Sequence, residues 1–315
     1  MRKIIIDTDT GSDDAAAIMM AVADPDIEIL GVTTLGGNIS LEQTTKNALQ
    51  TLEVCGADIP VYPGASRPIF RNLVTAAGVH GNDGMGDQDL VHPVGKPQHQ
   101  HAVDFILETI RKYPDEVELV LLGPATNVAL AIMKDRETMG HTKHIWSMGT
   151  AGFGPGNCTP VAEFNVYVDA DSYAAVLTSG IPMTIMGFDL CLGQAAMQKE
   201  DLEYLKEASP AGAFAAKCTT ALLNYNLQKR GEYFVDLPDA VAMGVALWPD
   251  IVKEDVYAYC YCCTKEEPAY GQVIIFDVNQ PLSIDYEIPA ANATVIRTID
   301  YAEFKKRFKS ALAGL

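Results

Sequence analysis

The sequence predicts an α/β protein with an open, mostly parallel sheet flanked by helices, a Rossmann-like core, and extra strands near the C-terminus. Three observations carry this expectation. Apolar runs rich in β-branched residues alternate with helix-like stretches from the N-terminus to about Pro249, an order that favours parallel strands joined by helical crossovers. Gly, Asn and Asp residues concentrate just after the strands, where ligands bind in open α/β sheets. The alternation then gives way to a strand-rich stretch, Val256–Thr298, and a closing helix, Tyr301–Ala313.

The first strand is Ile4-Ile5-Ile6, a short β-branched run of the kind buried in parallel sheets. It ends in Asp7-Thr8-Asp9-Thr10-Gly11-Ser12-Asp13-Asp14 and a helix over Asp14–Ala23. A strand at Ile27–Thr33 leads through Gly36-Gly37-Asn38 to a helix from Ser40 to Val54, with Ser40 and Gln43 spaced as a capping box. Val61-Tyr62-Pro63-Gly64 closes this unit. Residues Arg67–Gln98 carry little periodicity, and a loop of that length inside a compact domain is usually functional. Then come a helix at His101–Lys112, a strand at Val117–Leu122, a helix at Thr126–Met133, and a strand at Lys143–Met148 with a Gly-rich loop, Gly149–Pro160. A helix at Asp169–Ser179, a strand at Met183–Gly187, and helices at Lys199–Lys206 and Pro210–Gln228 follow. In the helix Asp236–Trp248, Pro238 falls in the first turn, where proline is tolerated. No repeat, low-complexity tract or linker interrupts the series, so residues 1–315 are expected to form one domain.

Composition narrows the partners. The net charge is −18 and the pI about 4.6. Such a surface repels phosphate backbones, which argues against nucleic acid and anionic membrane and suits a neutral or cationic small molecule. Much of the charge serves solubility. Arg2 and Lys3 precede only three apolar residues, too few for a signal peptide, and no apolar run is long enough to span a bilayer. The seven cysteines form no framework, which points to reduced thiols in the cytoplasm. Cys260, Cys262 and Cys263 lie in a strand-like run and are read as packing residues.

The acids after the first strand carry the chemistry. Asp7, Asp9, Asp13 and Asp14 crowd one strand-to-helix turn. Capping a helix needs one acid, not four, and clustered carboxylates repel one another. A divalent cation offsets that repulsion, and oxygen-only ligands select a hard ion such as Ca²⁺ or Mg²⁺. Three further clusters fall in loops. Asn38, after Gly36-Gly37, offers a donor and an acceptor, although Gly-Gly-Asn is also an ordinary turn. Asn157, Glu163 and Asn165 resemble a polyol-binding set. If extended, Glu163-Phe164-Asn165 puts its two polar side chains on one side. Asp239 opens an apolar helix, where an acid is common, and could also serve a cation.

These segments resemble the inosine-uridine nucleoside hydrolases. The resemblance rests on Asp7-Thr8-Asp9-Thr10-Gly11-Ser12-Asp13-Asp14-Ala15, then Gly37-Asn38, Val79-His80-Gly81-Asn82-Asp83-Gly84-Met85-Gly86, Leu122-Gly123-Pro124-Ala125-Thr126-Asn127, Gly156-Asn157, Glu163-Phe164-Asn165 and Asp239, in that family's order. It implies the nucleoside hydrolase fold and hydrolysis of the N-glycosidic bond of ribonucleosides to free base and ribose. It also implies a Ca²⁺ site, with Asp9, Asp14 and Asp239 as carboxylate ligands and Thr126 as a ligand through its main-chain carbonyl. Asp9 would be the general base toward a calcium-bound water, with Asp7 supporting the cluster. Asp13 and Asn38 would hold ribose hydroxyls, and Asn157, Glu163 and Asn165 would complete the sugar pocket. A homodimer or homotetramer is expected by analogy.

One position departs from the family pattern. Many pyrimidine- or inosine-active members carry a histidine just before the last ligand aspartate, to protonate the leaving base, and here it is Pro238. His80, in the long loop, and Tyr225, Asn226, Gln228 and Arg230, ahead of the Asp239 helix, are candidates for that end of the pocket. His80 could equally bond backbone or ribose, and the other four could be a structural helix face. Two rival readings stand beside the hydrolase. In a haloacid-dehalogenase-like Mg²⁺-dependent phosphohydrolase, Asp7 would be the nucleophile and Asp9 the acid/base, which leaves Asp13, Asp14 and the polyol set unexplained. A nucleoside- or ribose-binding protein without catalysis would explain Pro238. A P-loop is excluded, because no Gly-Lys-Ser/Thr follows a Gly-rich loop.

Overall fold

The computed structural model describes residues 1–265, 267–283 and 286–315, so three positions of the strand-rich stretch lie outside the described residues. Its strands are β1 (Arg2–Thr8), β2 (Ile27–Thr34), β3 (Val61–Pro63), β4 (Val117–Leu121), β5 (His144–Met148), β6 (Met183–Met186), β7 (Val252–Cys262), β8 (Val273–Asp277) and β9 (Ala293–Ile299). They form one sheet in the order β3-β2-β1-β4-β5-β6-β9-β7-β8. The pairs are parallel from β3 to β9, and β7 runs antiparallel to β9 and β8. The sequence marks Val256–Thr298 only as strand-rich and does not separate β7, β8 and β9. It does not reveal that β9 inserts between β6 and β7.

The chain builds outward from β1 in one direction through β2 and β3, and in the other through β4, β5 and β6. The order therefore reverses between β1 and β4. Asp7 pairs with Leu121 across that boundary and with Thr33 on its other side. The acid turn and the Leu122–Asn127 loop thus diverge from a topological switch point, the crevice that doubly wound sheets use for ligands.

Alternation along β1 feeds two cores. Ile4 and Ile6 join the helices Ser12–Ala23, Leu41–Val54, Pro238–Leu247 and Tyr301–Ala313. Ile5 joins Ala102–Lys112, Thr126–Lys134 and Ala170–Leu177 on the other face. The helix Ser12–Ala23 is buried on all sides through Ala21, as its run of Ala, Ile and Met without a polar face requires. Cys260 and Cys262 face the second core, in keeping with packing roles. No helix among the described residues is long and apolar enough to cross a membrane.

Local expectations fail at two places, and a third, left open by the sequence, is decided. Ser40 is the N-cap of Leu41–Val54, but its side chain makes no capping bond; Gln43 turns instead to Asn47, at 3.0 Å. The expected helix Pro210–Gln228 is two helices, Pro210–Cys218 and Thr220–Arg230. At the break Thr219 donates its hydroxyl to the Ala216 carbonyl, at 3.0 Å, the kind of local bond that competes with a helix. Glu163-Phe164-Asn165 is not extended. Glu163 caps a short helix, Phe164–Val168, accepting from the Asn165 and Val166 amides.

At the opposite end of the strands, Glu118 ties three strands together. It is 3% exposed and accepts from Arg2 of β1, from Lys143 beside β5 and from Trp146 of β5. Burial pushes its pKa up, but these donors more than reverse that and hold it down at about 2. A carboxylate with a depressed pKa stabilises the fold above its unfolded value and loses that contribution as pH falls toward the folded one. Glu118→Gln is expected to cost about 3 kcal/mol at pH 7, as breaking one side of a buried ion pair does. Denaturant melts from pH 7 downward check this: the gap should close as pH falls from about 4.5 toward 2, and a gap independent of pH would refute it.

Candidate active site

Beyond the C-terminal ends of β1 and β4 the chain folds four acids into one buried cluster. Asp9 and Asp14 are 0% exposed, Asp239 3% and Asp13 4%. Asp13 and Asp14 lie in the first turn of Ser12–Ala23, and Asp239 in the first turn of Pro238–Leu247, behind Pro238 at the first helical position. The two helices pack together, which brings residues some 225 positions apart (239 − 14) to one point. Carboxylate oxygens of Asp13, Asp14 and Asp239 lie within 4.8 Å of one another. Burial raises the pKa of all four acids, and repulsion from neighbouring carboxylates adds to the rise.

Asp9 sits against this group, gripped by backbone. Its Oδ2 accepts from the Asn38 amide at 2.6 Å. A Cβ at Gly37 would lie 2.1 Å from Asp9 Oδ2, and one at Gly123 would lie 2.5 Å from Asp9 Oδ1. Only glycine fits at either place. Asp14 accepts from the Thr8 hydroxyl at 2.5 Å, the Gly11 amide at 2.8 Å and Asn38 Nδ2 at 3.2 Å. Asp7 stands behind the cluster, held by Thr33 at 2.5 Å and Asn127 at 2.8 Å. Of these acids Asp13 and Asp239 line the adjoining cleft, while Asp7, Asp9 and Asp14 lie beneath its wall.

The residues fit a cation. Asp9 Oδ1 and Asp13 Oδ1 are buried without a partner among the described residues, and three converging carboxylates form an all-oxygen donor set, the chemistry that hard divalent ions select. Asp14 and Asp239 converge as expected, together with Asp13. Thr126 begins a helix, and its hydroxyl donates to Asp169 at 2.7 Å. Asp169 also fixes Ser172 and the Ile69 amide.

A cleft open to solvent adjoins the cluster at Asp13 and Asp239. Of the expected sugar-binding residues, Asp13, Asn38, His80, Asn157, Glu163 and Asn165 all line it. Asn165 donates Nδ2 to the Leu122 carbonyl at 2.7 Å, which leaves its oxygen for other work, while Asn157 accepts from the Phe164 amide at 2.9 Å. Burial pushes Glu163 up to about 7, against the backbone amides it accepts from. His80 bonds the Ser12 hydroxyl through Nδ1, at 2.9 Å, and lies 3.7 Å from Asp13; burial lowers its pKa. Tyr225, Asn226 and Arg230 also line the cleft, whereas Gln228 does not, because it falls on another face of Thr220–Arg230.

Sequence reasoning missed Asp236, Ser12 and Asn127 as contributors. Asp236 is 5% exposed, lines the cleft and accepts from Asn226 at 2.8 Å. Its signal was a second acid three residues before Asp239. Ser12 and Asn127 act on His80 and Asp7, and such pairings become visible only when distant loops are superimposed by the fold.

Known proteins match the chain over most of its length. The family model described as inosine-uridine preferring nucleoside hydrolase matches residues 4–306. Uridine nucleosidase 1 of Arabidopsis thaliana is 37% identical over 252 residues, covering 79% of this chain and 75% of that protein. A plant nucleoside hydrolase, PpNRh1, superposes with a TM-score of 0.93 at 27% identity, covering 99% of both chains. A purine-preferring ribonucleoside hydrolase from Gardnerella vaginalis gives 0.90 at 28% identity, covering 99% and 98%. The buried acid cluster at the switch point, the polar cleft above it and a family match over nearly the whole length lead to one conclusion: the chain belongs to the inosine-uridine preferring nucleoside hydrolase family.

Proposed function

We propose that the protein, as a single domain, hydrolyses the N-glycosidic bond of ribonucleosides, with Asp9 as general base and a Ca²⁺ site at the acid cluster. The observation that carries this is the convergence of Asp13, Asp14 and Asp239 beneath a cleft that Asp13, Asp239, Asn38, Asn157, Glu163 and Asn165 line. Asp9, Asp14 and Asp239, with the Thr126 carbonyl, would hold the ion. When bound, the ion neutralises the cluster and lowers the pKa of a water molecule beside it.

The chain's own residues supply the rest. Asp13 and Asn38 take ribose hydroxyls, with Asn157, Glu163 and Asn165 around the sugar. Bond cleavage builds positive charge on the ribose ring, and a cleft walled by carboxylates stabilises that charge more as it develops than in the ground state. Asp9 removes a proton from the attacking water. Pro238 offers none to the leaving base. The family match over residues 4–306 speaks against a phosphohydrolase.

The test is a panel of inosine, adenosine, guanosine, uridine and cytidine, with free base quantified by chromatography. Release of base from at least one supports the proposal. Binding of ribose or nucleoside without any release would favour the binding-protein reading. The cation is tested separately by thermal melts after chelation. Ca²⁺ should raise the melting temperature, because ligand binding to the native state stabilises by about 2.7 kcal/mol at 100-fold excess over Kd. A melting temperature indifferent to chelator and to Ca²⁺ would count against the site.

A further inference from the structure

At the end of the cleft where Pro238 supplies no proton, one buried side chain is held in a single orientation. Asn226 is 1% exposed, and its Nδ2 donates to the Phe234 carbonyl at 3.1 Å and to Asp236 Oδ1 at 2.8 Å. Both partners are acceptors. Turning the amide over would set its oxygen against two oxygens, so the nitrogen is fixed toward them. The carbonyl Oδ1 is then left buried without a partner among the described residues, although Asn226 and Asp236 both line the cleft. An acceptor stranded in that way is costly unless a ligand supplies the donor.

Leu222, Tyr225, Asn226 and Arg230 share one face of Thr220–Arg230 by helical spacing and line the same cleft. With ribose held over the acid cluster by Asp13, Asn38 and Glu163, the nucleobase is the part of the substrate left to reach this face. We propose that Asn226, oriented by Asp236, is the specificity-determining acceptor for the base. It selects bases that present an N–H donor, as a lactam N–H or an exocyclic amine, on the edge away from the glycosidic bond. Asp236 is a positioning residue that keeps the amide oxygen turned toward the ligand. This rests on the ribonucleoside hydrolase reading.

The experiment compares nucleosides that differ in that one donor: adenosine with purine riboside, cytidine with pyrimidin-2-one riboside, inosine with 1-methylinosine, and uridine with 3-methyluridine. kcat/KM is measured for the protein and for the variants Asn226→Leu and Asn226→Ala. The unaltered protein should prefer the donor-bearing member of its best pair by roughly 10- to 100-fold, the value of one satisfied buried acceptor. In both variants that preference should collapse toward unity, because the analogue's rate is little changed. A merely structural role would lower both members equally and keep their ratio. Persistence of the ratio in the variants, or its absence from the unaltered protein, overturns the role of Asn226 alone. Failure to release base from any nucleoside overturns the hydrolase reading beneath it.

Discussion

Asp9→Asn is expected to lower kcat/KM by roughly 10²- to 10⁴-fold, the usual worth of a positioned general base, and to leave the fold intact. The two halves of that expectation come from the same contacts. Asp9 Oδ2 accepts from the Asn38 amide at 2.6 Å, so the new carboxamide must keep its oxygen there. Its NH₂ then occupies the place of Oδ1, the oxygen that is buried without a partner. The lone pair available for a proton is lost, but the shape between Gly37 and Gly123 is kept. One of four crowded acids also becomes neutral, which relieves repulsion among groups already pushed toward their protonated forms by burial. In chelator, the variant should therefore melt at or above the temperature of the unaltered protein while its turnover falls, a familiar opposition between stability and activity. Steady-state assays paired with melts test both parts. Full activity in Asp9→Asn would remove Asp9 from the role of base.

The residues differ in how far they could be read in advance, for physical reasons. Asp7, Asp9, Asp13 and Asp14 were legible because a short apolar strand ending in four acids has few uses. Asp239 was legible because Pro238 marks the first turn of its helix. Features that depend on distant pairing were not. Asn127 and Asp7 meet across 120 positions, and the insertion of β9 beside β6 is decided by packing rather than by any local pattern. The geometry of the Glu163 turn was open for a different reason. An alternating Glu-Phe-Asn triplet fits a strand as well as a first helical turn, and only the capping bonds to the Asn165 and Val166 amides decide between them. In the helical form Glu163 and Asn165 both line the cleft.

The second large effect concerns the substrate. For whichever ribonucleoside turns over fastest, the 2′-deoxy analogue is expected to lose on the order of 10⁴-fold in kcat/KM, as sites built to bond a hydroxyl do when it is missing. The loss follows from how little of this cleft can be satisfied from within. Asp13 is 4% exposed, and its Oδ1 has no hydrogen-bond partner among the described residues. Asn38 spends its amide nitrogen on Asp14 and its main-chain N–H on Asp9, and it lines the cleft with its oxygen still to be used. Glu163, 2% exposed, already accepts from the Asn165 and Val166 amides, and its carboxylate keeps lone pairs for a hydroxyl. A ribose that brings both hydroxyls gives these buried acceptors donors. A deoxyribose displaces the same water and leaves one of them bare, and the penalty persists as charge develops on the sugar, so it falls on kcat as well as on KM. Inosine with 2′-deoxyinosine, or uridine with 2′-deoxyuridine, makes the comparison at a constant leaving group. Equal kcat/KM for the two sugars would show that the buried acceptors of this cleft are not what holds the substrate, and would move Asp13, Asn38 and Glu163 out of the sugar site.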